Sequence, residues 1–80
     1  MKIKILFFGI AKDISGKTSI EIEVNNAFTL EQLKDLLKKQ YPKFIAINDF
    51  SLAVNENYVN KTYSLNNNDI VAIIPPVSGG

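Results

Sequence analysis

Few residues of this chain could carry covalent chemistry, and the most suggestive group sits at one end, in Pro75-Pro76-Val77-Ser78-Gly79-Gly80. The chain has no Cys and no His. This removes disulfides, thiolate and imidazole metal sites, iron–sulfur clusters, cysteine nucleophiles and histidine acid–base catalysis together. The remaining Lys, Tyr, Ser, Thr, Asp and Glu show no paired arrangement that suggests a catalytic site. The chemically unusual group left is a terminal carboxylate on Gly80. Each proline before it fixes φ near about −65° and biases its predecessor toward extended backbone, which makes the segment a stiff, projecting arm. Fully extended, six residues reach roughly 20 Å. Gly79 and Gly80 carry no Cβ, so the end of the arm fits a channel too narrow for any other residue. Taken alone, Gly-Gly at a chain end also reads as ordinary terminal fraying. Only the rest of the chain decides between the two.

Eighty residues make one domain with a small core. With 46% hydrophobic and 21% charged residues the composition is that of a folded globular domain rather than a disordered segment. Nine basic residues, all Lys, against eight acidic ones leave a net charge of +1, without the basic excess or arginine forks of a nucleic-acid binder. Nucleic acid is therefore not an expected partner. Lys2 and Lys4 ahead of Ile5-Leu6-Phe7-Phe8-Gly9-Ile10-Ala11 mimic a short signal peptide. Removing that run would take away much of the core, so it reads better as a first strand. No run approaches the roughly 18 apolar residues of a membrane span. A cytoplasmic protein with no membrane partner is expected.

The elements that must hold the arm follow from periodicity. Lys2 to Phe8 alternates, with Ile3, Ile5 and Phe7 on one face and Lys2, Lys4, Leu6 and Phe8 on the other. Ile10 to Ile14 fits a single helical turn before Ser15-Gly16. Ile20, Ile22 and Val24 alternate with Ser19, Glu21 and Glu23 in a second strand, antiparallel to the first. Asn25-Asn26 breaks that pattern, and Thr29 with Gln32 forms a capping box ahead of the main helix. That helix gathers Leu30, Leu33, Leu36 and Leu37 on one face and stops at Tyr41-Pro42. Phe44 to Phe50 reads as irregular and turn-rich. A third strand, Leu52 to Asn55, leads through Glu56-Asn57 to a short Tyr58-Val59 strand. Asn66-Asn67-Asn68-Asp69 is a turn before the last strand, Ile70 to Ile74.

The first and last strands are the most continuously apolar, which marks strands buried in the middle of a sheet. Pairing them in parallel, with the helix across one face, gives an α+β fold of the β-grasp, ubiquitin-like kind. Its mixed sheet has about five strands and one main helix. Residues 1–74 form the domain and residues 75–80 the extended tail. Because the helix covers only one face, Phe8 and Ile74 point to the other, and Tyr58 can join them. Grouped apolar residues on an open sheet face mark a partner surface. The competing reading is that scattered exposed apolar residues are normal, or that one strand register is shifted by a residue.

Lys4-Ile5-Leu6-Phe7-Phe8, Ser51-Leu52-Ala53-Val54-Asn55 and Ile73-Ile74-Pro75-Pro76-Val77-Ser78-Gly79-Gly80 together resemble the small, sulfur-carrier subunit of molybdopterin synthase. The likeness runs through almost the whole chain, and Pro-Pro-Val-Ser-Gly-Gly is its most specific part. Asn66-Asn67-Asn68-Asp69 departs from the glycine-containing turn common in that family, and Asn tolerates the positive φ such a turn needs. The resemblance implies a carrier rather than a free-standing catalyst. A ubiquitin-activating-like adenylyltransferase uses ATP to adenylate the Gly80 carboxylate, and a sulfur donor converts it to a thiocarboxylate. Pro75, Pro76, Val77, Ser78 and Gly79 then thread the active site of the large synthase subunit. There two such sulfurs convert cyclic pyranopterin monophosphate to molybdopterin. No cofactor or metal is expected on this chain. The catalytic residues belong to the large subunit, in a heterotetramer of two small and two large subunits whose interface on this side is Phe8, Tyr58 and Ile74. Two alternatives share the same tail: a sulfur carrier for another pathway, such as the thiazole of thiamine, and a ubiquitin-like protein modifier. A plain β-grasp interaction module with an incidental tail is a third.

Overall fold

The computed structural model describes residues 1–25, 27–46 and 50–74. Strict alternation makes Lys2–Phe7 a strand, β1, with Ile3, Ile5 and Phe7 buried and Lys2 and Lys4 exposed. The strand ends one residue short of the expected Phe8, because Gly9 takes φ 54 and ψ −130, a backbone conformation open to glycine, and turns the chain into α1 (Ile10–Ser15). This helix is a little longer than the expected single turn. Gly16 closes it in the left-handed conformation, donating its N–H to the Lys12 carbonyl at 2.8 Å.

β2 (Ser19–Glu23) returns antiparallel to β1, Ile5 facing Ile20 and Ile3 facing Ile22. The expected break at Asn25-Asn26 lies partly outside the described residues, since Asn26 is not among them. The predicted capping box is present at the start of α2 (Leu30–Gln40). The Gln32 N–H donates to Thr29 Oγ1 at 3.2 Å, and the Thr29 N–H donates to Gln32 Oε1 at 2.8 Å. Two further N–H groups of the first turn, on Leu30 and Glu31, donate to the carbonyls of Tyr63 and Lys61, both at 2.9 Å. The helix entrance is thereby tied to the distant 61–65 segment. Leu30, Leu33 and Leu37 are buried; Leu36, expected beside them, is half-buried at the rim of that stripe.

The stretch after the helix is more regular than expected. Pro42–Ala46 forms a short 3₁₀ helix, and Phe44 within it is fully buried. The Phe44 ring lies 6.3 Å from Phe7, 5.8 Å from Tyr41 and 5.5 Å from Phe50 between centroids, an aromatic cluster closing one end of the core. Residues 47–49 of the expected turn-rich region are outside those described.

β3 (Ser51–Val54) and β4 (Asn57–Tyr58) form a hairpin shifted by one residue from expectation. The turn is Asn55-Glu56, with φ of 50° and 70°, and not Glu56-Asn57. Positive φ at both central residues is the type I′ geometry whose twist matches a two-residue hairpin, and Asn tolerates it better than most residues. At the turn before β5, Asn68 has φ 71 and the Asp69 N–H donates to the Asn66 carbonyl at 3.1 Å. A positive φ at the third position is what a type II turn needs, so Asn supplies here what glycine commonly does.

β5 (Ile70–Ile74) runs parallel to β1, with Ile5 beside Val71 and Phe7 beside Ile73, and antiparallel to β3. The five-stranded order β2-β1-β5-β3-β4 with α2 across one face is the expected β-grasp. The core between sheet and helix unites Ile3, Ile5, Val71 and Ile73 with Leu33 and Leu37, all at most 1% exposed. Leu33→Ala should therefore cost about 3 kcal/mol, within the range of buried Leu truncations. Urea unfolding should show a lower midpoint with an unchanged m-value, since the denatured state is untouched.

Candidate functional site

The open face of the sheet follows from the same alternation that builds the core. Side chains on paired residues share a face, so Leu6 on β1, Ala72 on β5, Ala53 on β3 and Tyr58 on β4 form one row across four strands. Ile70 and Ile74 flank Ala72 along β5, and Ile74 pairs with Ser51. Phe8 follows β1 at the same end of the sheet. The apolar residues of this set, without Ser51, line a groove of about 660 Å³ that also touches Asn55 and Glu56. Its floor is alanine and its walls are large. Phe8 is 51%, Tyr58 70% and Ile70 42% exposed, so the apolar surface is open to solvent rather than covered by another part of the domain.

The other half of this face is polar. Lys2 faces Glu23 and Lys4 faces Glu21 across β1 and β2, which places opposite charges in register. A second, smaller cleft of about 430 Å³ lies between α2 and the β3–β4 hairpin. Lys34, Lys38 and Lys61 line it with Glu31 and Asp35, and Lys34 Nζ sits 4.7 Å from the centre of the Phe50 ring. Tyr58 is the wall common to both depressions.

The structure places Phe8, Tyr58 and Ile74 around one groove; alternation predicts the shared face for Phe8 and Ile74, and Tyr58 joins them from the β3–β4 hairpin. Leu6, Ile70 and Ala72 belong with them, beyond the three interface residues that the sequence pattern points to. Their signal was the shared parity with Phe8 on β1 and with Ile74 on β5. Pro75, Pro76, Val77, Ser78, Gly79 and Gly80 lie outside the described residues. The last described residue, Ile74, lines the groove. Among the described residues no group of three or more His, Cys, Asp or Glu is placed to hold a metal ion. No described helix is long and apolar enough to cross a membrane.

A sequence profile of the ThiS family matches residues 5–80. A molybdopterin synthase sulfur carrier subunit from Dictyostelium discoideum is 41% identical over 83 residues, covering 99% of this chain and 96% of its own. The chain belongs to this family. Among solved structures, a molybdopterin converting factor subunit 1 homologue from Pyrococcus furiosus superposes on this β-grasp fold with a TM-score of 0.88. It shows 28% identity and covers 96% of this chain and 99% of that one. A complex of subunits 1 and 2 of the molybdopterin-converting factor from Helicobacter pylori contains a chain with a TM-score of 0.71 and 25% identity, covering 100% of both. The sulfur-carrier resemblance of the strand and tail motifs is thus matched across the whole chain.

The two faces of the sheet predict opposite responses to a carboxylate. Phe8→Asp should keep the melting temperature within about 4 °C of the parent, because a half-exposed site changes stability by only about 0.5 kcal/mol. Ile73→Asp, at a fully buried position, should abolish the cooperative transition seen by circular dichroism. Equal losses in both variants would mean that the groove face is not solvent-exposed.

Proposed function

We propose that this chain is the sulfur carrier of molybdopterin synthase, with the Gly80 carboxylate as the group that is loaded. The observation that carries this reading is an apolar groove opening where the tail begins, on a chain whose family is that of the synthase carriers. A carboxylate is a poor electrophile, and adenylation by an ATP-using partner gives it a leaving group. Sulfur supplied at the sulfide level displaces AMP, the C–S bond forming as the acyl–phosphate C–O bond breaks, and leaves a thiocarboxylate whose sulfur is a softer nucleophile than the oxygen it replaced. Two loaded tails then supply the two sulfurs of the dithiolene made from cyclic pyranopterin monophosphate. Nucleotide, sulfur donor and catalytic side chains belong to the partners, which accords with a chain lacking Cys and His. This carrier chemistry needs no cofactor bound to the chain itself, and we place the protein in the cytoplasm with its partners.

The groove is the docking surface of the large subunit in this reading. Phe8, Tyr58 and Ile74 present apolar area around an alanine floor, which favours insertion of a complementary apolar ridge or strand. The relative from Helicobacter pylori in a complex of subunits 1 and 2 supports a partner of this kind, and a heterotetramer follows if two large subunits pair. Pro75 and Pro76 restrict the tail before it is inserted, which lowers the entropy lost on binding. Gly79 gives clearance in both partner active sites.

Two measurements test this. Incubation with the adenylating partner, ATP and a sulfur source should raise the intact mass by about 16 Da, the difference between one sulfur and one oxygen. Gly79→Val or one residue added after Gly80 should prevent that gain and leave the melting temperature unchanged. Absence of the mass shift with partner binding intact would overturn the carrier assignment. In calorimetric titrations, Phe8→Asp and Ile74→Asp should each weaken large-subunit binding by at least about tenfold, the scale of losing one interface anchor. Binding at the parental affinity in either variant would remove that residue from the interface.

A further inference from the structure

We propose that Asn55 and Asp69 form a polarity-matched pin that positions the Tyr58 wall of the groove, and so act as positioning residues for large-subunit docking. This rests on the docking role assigned to the groove above. β4 has only two residues, and its ladder consists of Ala53 facing Tyr58 and Val54 facing Asn57. So short an edge strand does not fix its own place; the turn that leads into it does.

That turn is fastened to β5 by its own backbone and by one side chain. The Asn55 N–H donates to the Ile70 carbonyl at 2.8 Å, and the Ile70 N–H donates back to Asn55 Oδ1 at 3.0 Å. Asn55 Nδ2 then donates to Asp69 Oδ1 at 2.9 Å, while Asp69 Oδ2 accepts the Asn66 N–H at 2.8 Å. Asp69 is 6% exposed, the buried polar residue among those described. Both residues of the turn have positive φ, a strained state for Glu56 that persists only where neighbouring bonds hold it. The pin joins the end of the groove lined by Asn55, Glu56 and Tyr58 to the strand that carries Ile70.

The directions of these bonds allow only certain chemistries. From the Ile70 N–H through Asn55 to Asp69, each donor meets an acceptor, and the Asn66 N–H requires a second acceptor on residue 69. Asp69→Asn breaks this in either orientation of its amide. The new NH₂ faces the Asn66 N–H, or it faces Asn55, whose flipped amide then opposes the Ile70 N–H. Asn55→Asp sets two carboxylates against each other. The exchange Asn55→Asp with Asp69→Asn satisfies every group again. Residue 55 then accepts from Ile70 and from the new amide, which keeps its oxygen toward Asn66.

The test is calorimetric titration of the whole chain with the large subunit, at a temperature where circular dichroism shows each variant folded. Asp69→Asn and Asn55→Asp should each weaken binding roughly tenfold, and the exchanged pair should restore it to within about twofold. Tyr58→Ala should also weaken binding, and Asp69→Asn added to it should cost little more, because the pin acts through the Tyr58 wall. A merely structural role would lower the melting temperature without this non-additivity. Additive losses, or an exchanged pair that binds as poorly as the single variants, would overturn the proposal. If both single variants fail to fold while the exchanged pair folds, the pair serves the fold and not the surface, and the proposal fails. A Tyr58→Ala chain that binds normally removes this wall from the interface, and the pin's role with it. Loss of binding in Phe8→Asp alongside would then leave the docking assignment standing.

Discussion

The parallel pairing of β1 with β5 is the constraint on which the rest of this molecule depends. It sets Lys4 beside Ile70 and Phe7 beside Ile73, residues from opposite ends of the sequence. Closing so long a loop adds little entropy for each doubling of length, yet the contact stays unfavourable until the intervening elements pack. Once made, it places two apolar strands at the centre, with β2 on one flank and β3 on the other. Ile3, Ile5, Val71 and Ile73 then form a surface broad enough for α2, and the small core is complete on that side alone.

The same pairing creates the functional face. Residues alternating with the core set must point away from α2, so Leu6, Ile70, Ala72 and Ile74 are carried to the open side by the register that buries their neighbours. A one-residue slip would exchange the two sets and lose both core and groove. The pairing also decides where the chain leaves the sheet. Ile73 is held beside Phe7, so Ile74, the last described residue, sits at the same end of the sheet as Phe8.

What the sequence disclosed follows from the range of each signal. Period-two alternation in β1 and β2 and the Thr29–Gln32 box before α2 are local patterns, and each was legible in a few residues. The central pairing was legible because Ile3 to Phe8 and Ile70 to Ile74 are unusually apolar for strands of a one-sided sheet. β4 was misplaced by one residue because two residues carry no periodicity, and its register is set by the φ values of Asn55 and Glu56. Ala53 and Ala72 carry no such signal, because a small side chain says nothing by itself about being a groove floor. The bonds of Asp69 to Asn55 and Asn66 were hidden for another reason. An asparagine run before a strand reads as turn chemistry, and nothing local shows that Asp69 also reaches a side chain fourteen positions earlier.

An open apolar face is a liability for an 80-residue domain, and its arrangement limits that liability. Charges of opposite sign face each other across β1 and β2, leaving that half of the face well hydrated. The apolar part is confined to the row from Leu6 to Tyr58 and its neighbours on β5. Within that row the two central residues are both alanine, Ala72 and Ala53, between the larger Leu6 and Tyr58. Small residues at the centre and large ones at the rim make a depression rather than a ridge. A depression admits a partner's side chains to desolvated contact while two copies of this domain, both concave there, meet poorly. The shape of the face therefore favours a complementary partner over self-association, and that shape depends on alanines which contribute little to the fold's own stability.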